Sequence, residues 1–85
     1  MTIMEWWDYL EPFCDKKIPL RFTFSDGMTF EAIPKFIYCG EDVIMVAHML
    51  KDYPQYNAFK GEKRVFPLEE DMQVEPLVNK GDNGE

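Results

Sequence analysis

Residues that could do chemistry are few in this chain and stand apart from one another. His48 is the only histidine, and its neighbours Val46, Ala47, Met49 and Leu50 are apolar. An imidazole can serve as a general base or a metal ligand, yet no Cys-His, Ser-His-Asp or carboxylate partner lies at a recognisable spacing from it. His48 is therefore expected at a strand edge or in a hydrogen bond, not in catalysis. Cys14 and Cys39 lie far apart and belong to no CxxC or Cys/His cluster, which argues against a zinc site. The glycines form no phosphate cradle, because Gly27, Gly40 and Gly61 each fall at a turn or loop end. The sequence reads as a non-enzyme, with no catalytic residue, no metal ligand and no cofactor.

Groups suited to recognition are more abundant. Trp6 and Trp7 are adjacent, and on a helix adjacent side chains diverge by about 100°. One packing surface can cover one indole fully and tends to leave the other, taken as Trp7, near a rim where aromatic anchors bind partners. Burial of both in the groove between helix and barrel is the preferred reading. Tyr53, Tyr56 and Phe59 offer three rings with little alternation to bury them. Loops of that composition carry recognition, and a hairpin whose rings cover one end of a barrel is the equal alternative. Acidic residues fall in two groups, Glu5, Asp8, Glu11 and Asp15, then Glu69, Glu70, Asp71 and Glu75. Such runs are ordinarily solvated faces; converged, they could imitate the charge of a nucleic-acid backbone.

The elements that must position these residues follow from local pattern. Thr2 with Glu5 three residues on is a capping box, and Ile3, Trp6, Trp7, Leu10 and Phe13 form one helical stripe. Pro12 disfavours helical geometry at Glu11, so the regular helix is expected to stop there or to end in a loose turn through Cys14. Leu20, Phe22 and Phe24 alternate with Arg21, Thr23 and Ser25 as in a strand with one buried face. Asp26-Gly27 is expected to close a two-residue type I′ turn, after which Met28, Phe30 and Ala32 resume the alternation. Pro34 marks a bulge, bend or edge in a stretch that continues through Phe36, Ile37 and Tyr38. A turn at residues 39–42 leads into the nearly continuous apolar run 43–50, a central strand. Residues 51–61 are a loop or long hairpin tip, residues 64–68 a fourth strand, residues 69–71 one 3-10 turn, and Met72, Val74 and Leu77 a closing strand. From Asn79 onward the residues have nothing to bury, which predicts disorder.

Composition bounds the partners. Across 85 residues, 46% are apolar and 15% aromatic, enough for a core without metal or disulfide staples despite the small size. The net charge of −7 repels phosphate backbones and anionic lipid and disfavours nucleic acid as a partner. No apolar run reaches the roughly 18–20 residues that span a bilayer, and the N-terminal stretch has no basic region of a secretory signal. These features point to the cytoplasm, with two reduced, mostly buried thiols.

A helix followed by five strands, with a tight hairpin first and a short turn last, resembles the small barrels of the Sm-like and Src-homology-3-like superfolds. The residues that carry the resemblance are Leu20-Arg21-Phe22-Thr23-Phe24-Ser25-Asp26-Gly27 and Val65-Phe66-Pro67-Leu68. The Sm-like family contacts RNA through an Asp and Asn after the second strand and an Arg-Gly pair after the fourth. The corresponding stretches here read Tyr38-Cys39-Gly40-Glu41-Asp42 and Val65-Phe66-Pro67-Leu68-Glu69, so that signature is not matched.

The expectation is a mainly β fold: an N-terminal α-helix, then a five-stranded antiparallel, strongly bent sheet or small barrel over residues 1–78, and a disordered acidic tail at 79–85. The expected function is a non-catalytic binding or accessory domain acting through protein contacts at Trp7, Tyr53, Tyr56, Phe59, Glu69 and Glu70. An acidic inhibitor of a nucleic-acid-handling protein is the first alternative. The second is a binder of single-stranded RNA, which would need a positive channel involving Arg21, Lys35, Lys60, Lys63 and Arg64. Membrane partners are not expected, and a homo-oligomer is left open.

Overall fold

The computed structural model describes residues 1–77; the tail expected from Asn79 onward lies outside the described residues. Helix α1, Ile3–Lys16, begins as the capping box predicts. Thr2 Oγ1 accepts the Glu5 N–H at 3.1 Å while Glu5 Oε1 accepts the Thr2 N–H at 2.8 Å. The bond from the Thr2 backbone holds the Glu5 carboxyl below its ordinary range. The stop expected at Pro12 is not observed, since the helix runs four residues beyond it to Lys16. Pro12 and Asp8, whose carbonyl loses its partner, are both exposed, so water can satisfy that carbonyl. Beyond it, Cys14 is buried and Phe13 half-buried, which rewards another turn. The end is a Schellman motif: Lys17 is left-handed at φ 56°, its N–H donates to Cys14 O, and the Ile18 N–H donates to Phe13 O.

The remaining elements are five strands, β1 Leu20–Thr23, β2 Thr29–Cys39, β3 Val43–Met49, β4 Lys63–Pro67 and β5 Gln73–Pro76, with a 3-10 turn at Pro54–Tyr56. They form one antiparallel sheet in the order β4-β3-β2-β1-β5. Residues 69–72 form a β-turn closed by the Met72 N–H on Glu69 O at 3.4 Å, in place of the 3-10 turn expected at 69–71.

The β1–β2 hairpin is not the expected two-residue turn. The Gly27 N–H donates to Phe24 O at 2.9 Å and the Phe24 N–H to Met28 O at 2.8 Å, so three residues, Ser25, Asp26 and Gly27, make the loop. Only Gly27 takes a positive φ, 92°, as in a type I turn followed by a glycine bulge. Asp26 is spared that conformation and accepts the Met28 N–H instead, at 2.9 Å.

Strand β2 carries the expected irregularity at Pro34. Pairing with β3 slips between Pro34 and Phe36, which leaves Lys35 as the extra residue of a bulge. Pro34 stands beyond Ala32, where the ladder to β1 ends. Because Glu31 O accepts from Leu50 on the β3 side, alternation turns the nitrogen of Pro34 away from β3. The missing N–H costs no ladder bond.

β4 and β5 are opposite edges of the sheet but are joined by residues 68–72 alone, and part of that link is a turn. Such a short link cannot span a flat five-stranded sheet, whose outer strands stand about 19 Å apart. The sheet therefore curls. Phe66 of β4 meets Phe22 of β1 edge-to-face at 5.1 Å, and also packs on Phe24 and Phe30. Trp6, Leu10 and Cys14 of α1 join these rings in one core with Met45, Ala47, Met49 and Leu68, and α1 lies against β2. No helix among the described residues is long and apolar enough to cross a membrane.

Candidate functional site

The two tryptophans take different places. Trp6 is buried, and its Nε1–H donates to Glu70 O at 3.1 Å, tying the helix to the β4–β5 link. Trp7 is half-buried, and its Nε1–H donates to Glu11 Oε2 at 3.1 Å within the helix. The rim position falls to Trp7, which corrects the preferred reading: burial between helix and sheet holds for Trp6 and not for Trp7.

The aromatic segment is tied to the sheet. Tyr53 and Tyr56 stack at 5.8 Å and are half-buried. The Glu31 N–H donates to the Tyr53 hydroxyl at 2.8 Å and the Thr29 N–H to the Tyr56 hydroxyl at 3.0 Å. These phenols act where β2 runs past the end of β3, so they satisfy strand donors that no strand reaches. Tyr53 also bridges to Ala58, which is buried. Of the two alternatives for this segment, the rings cover one end of the sheet; only Phe59, 41% exposed, stands out to solvent.

The two acidic groups lie on segments that one hydrogen bond joins. The Trp6 bond to Glu70 O places residues 69–71 beside the first turns of α1, where Glu5 and Asp8 are exposed. Glu69 accepts a hydrogen bond from Ser25 Oγ at 3.4 Å, which draws the hairpin tip to the same end.

The cations named for an RNA channel are divided. Arg21 sits in register between Glu75 and Glu31 and pairs with both, at 2.9 Å and 3.0 Å, while Lys51 reaches Glu31 at 3.1 Å. These bonds raise the Arg21 pKa, the hydrogen bond it donates to Glu31 first. Burial would raise that of Glu31, but the bonds from Arg21 and Lys51 outweigh it and hold the carboxyl below its ordinary range. Arg21 is thus engaged, and a continuous channel through it would require breaking that network.

The surface that the sequence did not single out is the outer face of β2, β3 and β4. Register places Phe36, Val46 and Val65 in one cross-strand row and Tyr38, Ile44 and Pro67 in the next. Residues two apart on a strand share a face, so all six point to the side away from Phe22, Phe30 and Phe66. Phe36, Tyr38 and Val65 are 52%, 58% and 59% exposed, and nothing among the described residues covers them. Val46, at the centre between Phe36 and Val65, is itself buried. His48 lies in the following row between Ile33 and Lys63.

The bulge at Lys35 explains why this face was missed. Phe30, Ala32 and Pro34 point inward, and uninterrupted alternation would send Phe36 and Tyr38 inward too. One extra residue reverses the phase. The available signal was the run at 43–50, apolar on both faces in a chain with a single helix to cover one of them.

Both cysteines are free thiols; Cys14 is buried as expected, whereas Cys39, at the end of β2, is exposed against the expectation of burial. Burial, with the neighbouring Asp15 and Glu11 charges, pushes the Cys14 thiol up to about 11, so it stays protonated and unreactive at neutral pH. Among the described residues no group of three or more His, Cys, Asp or Glu side chains is placed to hold a metal ion. The chain matches no family model, no curated protein and no solved structure.

Proposed function

We propose that this chain is a non-catalytic binding module that acts in the cytoplasm through protein–protein contacts. The observation that carries this reading is the exposed apolar face of Phe36, Tyr38 and Val65, held on paired strands. Contiguous exposed apolar surface on a small domain marks an interaction site, and strands hold such a site more rigidly than a loop does. Trp7 and Phe59 remain candidate peripheral contacts, and Tyr53 and Tyr56 contribute by holding the loop that carries Phe59. Helix-first order and a curled five-stranded sheet support placing the fold with the Sm-like or Src-homology-3-like small barrels, a likeness that does not bring a function with it.

A photo-crosslinking side chain at Tyr38 tests this in extracts of the native source. A discrete protein adduct should form and should be lost when Phe36→Ser is added. Absence of any adduct from Tyr38, Phe36 and Val65 positions alike would sink the proposal.

The inhibitor reading is second, supported by the Trp6–Glu70 bond, which joins the link carrying Glu70 and Asp71 to the first turns of α1, where Glu5 and Asp8 are exposed. It expects Glu69→Lys with Glu70→Lys to abolish capture of a basic, nucleic-acid-binding partner, with steep salt dependence. RNA binding is third, because Arg21 is engaged by two carboxylates.

A further inference from the structure

β4 is an edge strand whose backbone directions can be read from its neighbours. Glu62 O accepts the Met49 N–H at 2.9 Å, and the Leu68 N–H donates to Val43 O at 3.0 Å. Alternate residues face the same way in an antiparallel ladder, so Arg64 and Phe66 face β3 while Lys63, Val65 and Pro67 face outward. Lys63 and Val65 therefore offer an N–H and a C=O each to an incoming strand. Pro67 offers its carbonyl alone.

Beside this edge lies an open cavity of about 130 Å³, near the roughly 150 Å³ that accepts a benzene ring. Met28, Phe30, Tyr56 and Phe66 supply its apolar lining, and among the described residues Arg64 is its only charged side chain. A strand laid on β4 would alternate its side chains between this cavity and the outer face at Val65. Edge hydrogen bonds with a pocket for alternate side chains are the physical elements of strand addition.

Charge selects among occupants. In a chain of net charge −7, Lys60, Lys63 and Arg64 gather at this edge. Among the described residues Lys60 and Lys63 have no ion pair, and Arg64 meets only Glu62, at the long distance of 3.9 Å. The nearby carboxylates of Asp52 and Glu62 accept the backbone N–H groups of Lys60 and Phe59, at 2.9 Å each, and keep their charge, so these three cations outnumber the two acids beside them. A second copy would bring the same cations against this edge, and like charges at close quarters oppose pairing. A nucleic acid has no ladder of amides to offer Lys63 and Val65.

We propose that the outward edge of β4 takes up an extended, acidic segment of a partner protein as a sixth strand, one apolar side chain of which enters the cavity lined by Arg64. This rests on the protein-binding reading above and names the chemistry of the partner.

The test uses the full chain and a short labelled synthetic peptide alternating glutamate with leucine, beside its lysine-for-glutamate counterpart. Fluorescence anisotropy measures binding and NMR-detected amide exchange locates it. The acidic peptide should bind and slow exchange at the Lys63 and Val65 amides. Lys63→Glu with Arg64→Glu should weaken it by about tenfold or more, and Lys16→Glu, at the far end of α1, should not. Circular dichroism confirms that both variants fold.

Equal binding of the lysine peptide, or slowed exchange elsewhere, overturns the proposal. So does protection of the same amides that rises with protein concentration alone, which assigns the edge to a second copy. A uridine oligomer giving that protection assigns it to RNA. If no peptide binds while the Tyr38 adduct still forms and still depends on Phe36, the protein-binding reading stands and the β4 inference falls.

Discussion

The Tyr53 hydroxyl oxygen accepts the backbone N–H of Glu31 at 2.8 Å, at the point where β2 outruns β3. A side chain from the loop thus completes the ladder in place of a strand. Tyr53→Phe should strand that partly buried donor and cost about 1–3 kcal/mol. Tyr56→Phe should cost less, because the Thr29 N–H it releases lies at an exposed site that water can reach. Urea denaturation of the two variants decides it. Equal midpoints for Tyr53→Phe and the parent would remove the loop's structural role.

At the hairpin tip, Gly27 has φ +92° and a Cβ added there meets nothing within 4 Å. The obstacle to a larger residue is backbone conformation alone. Gly27→Val is expected to destabilise by about 1–2 kcal/mol and Gly27→Asn by less, since Asn tolerates positive φ. A Val variant as stable as the parent would mean that the loop rearranges.

Much of the fold was legible because its signals were local. The capping box at Thr2 and Glu5, the alternation around Phe22 and the turn at residues 39–42 each need only a few adjacent residues. The failures came where distant contacts decide. Pro12 alone suggests a helix end, but burial of Cys14 and the Schellman bonds at Lys17 and Ile18 extend the helix. Asp26-Gly27 suits a two-residue turn, but the bond from Met28 to Asp26 accompanies a longer loop. The candidate site was less legible for the same reason. Pro34 announced an irregularity without saying that Lys35 would be the unpaired residue, and that single displacement decides whether Phe36 and Tyr38 are core or surface.

The outer-face network gives a pH dependence of definite sign. The carboxyl of Glu31 is held below its ordinary range in the folded chain by Arg21 and Lys51, so the unfolded chain binds protons first as pH falls. Its stabilising contribution is present above the ordinary carboxylate range and is lost as pH drops through the lowered folded value. Glu31→Gln should flatten the acid limb of stability against pH, measured as urea midpoints from neutral to strongly acidic solution. An acid limb as steep as the parent's would assign it to other carboxylates.

The two thiols should separate cleanly. Cys39 is exposed and Cys14 buried, with the Cys14 thiol raised from 9.0 to about 11 by desolvation first and then by Asp15 and Glu11. At neutral pH a thiol reagent should modify Cys39 rapidly and Cys14 only on unfolding. Between those pKa values the unfolded chain ionises Cys14 while the folded chain does not, so stability falls as pH rises through that window. Cys14→Ala should lessen that alkaline loss. Rapid modification of both thiols in the folded chain would contradict the buried position of Cys14.

The last prediction concerns how α1 is held. Leu10 is fully buried and Trp6 nearly so, the latter bonded to Glu70 O, whereas Trp7 is half-exposed and bonded only within its own helix. A helix of this length is marginal on its own, so these contacts with the sheet must supply its stability. Leu10→Ala should cost about 2–5 kcal/mol by leaving a cavity, and Trp6→Phe should lower the thermal midpoint by losing both packing area and the bond to Glu70. Trp7→Phe should change stability little, because the bond it loses is exposed. That asymmetry separates a docked helix from a helix held for a partner: if Trp7→Phe destabilises as much as Trp6→Phe, the packing described for α1 is wrong, and if neither Trp6→Phe nor Leu10→Ala does so, the helix is not docked.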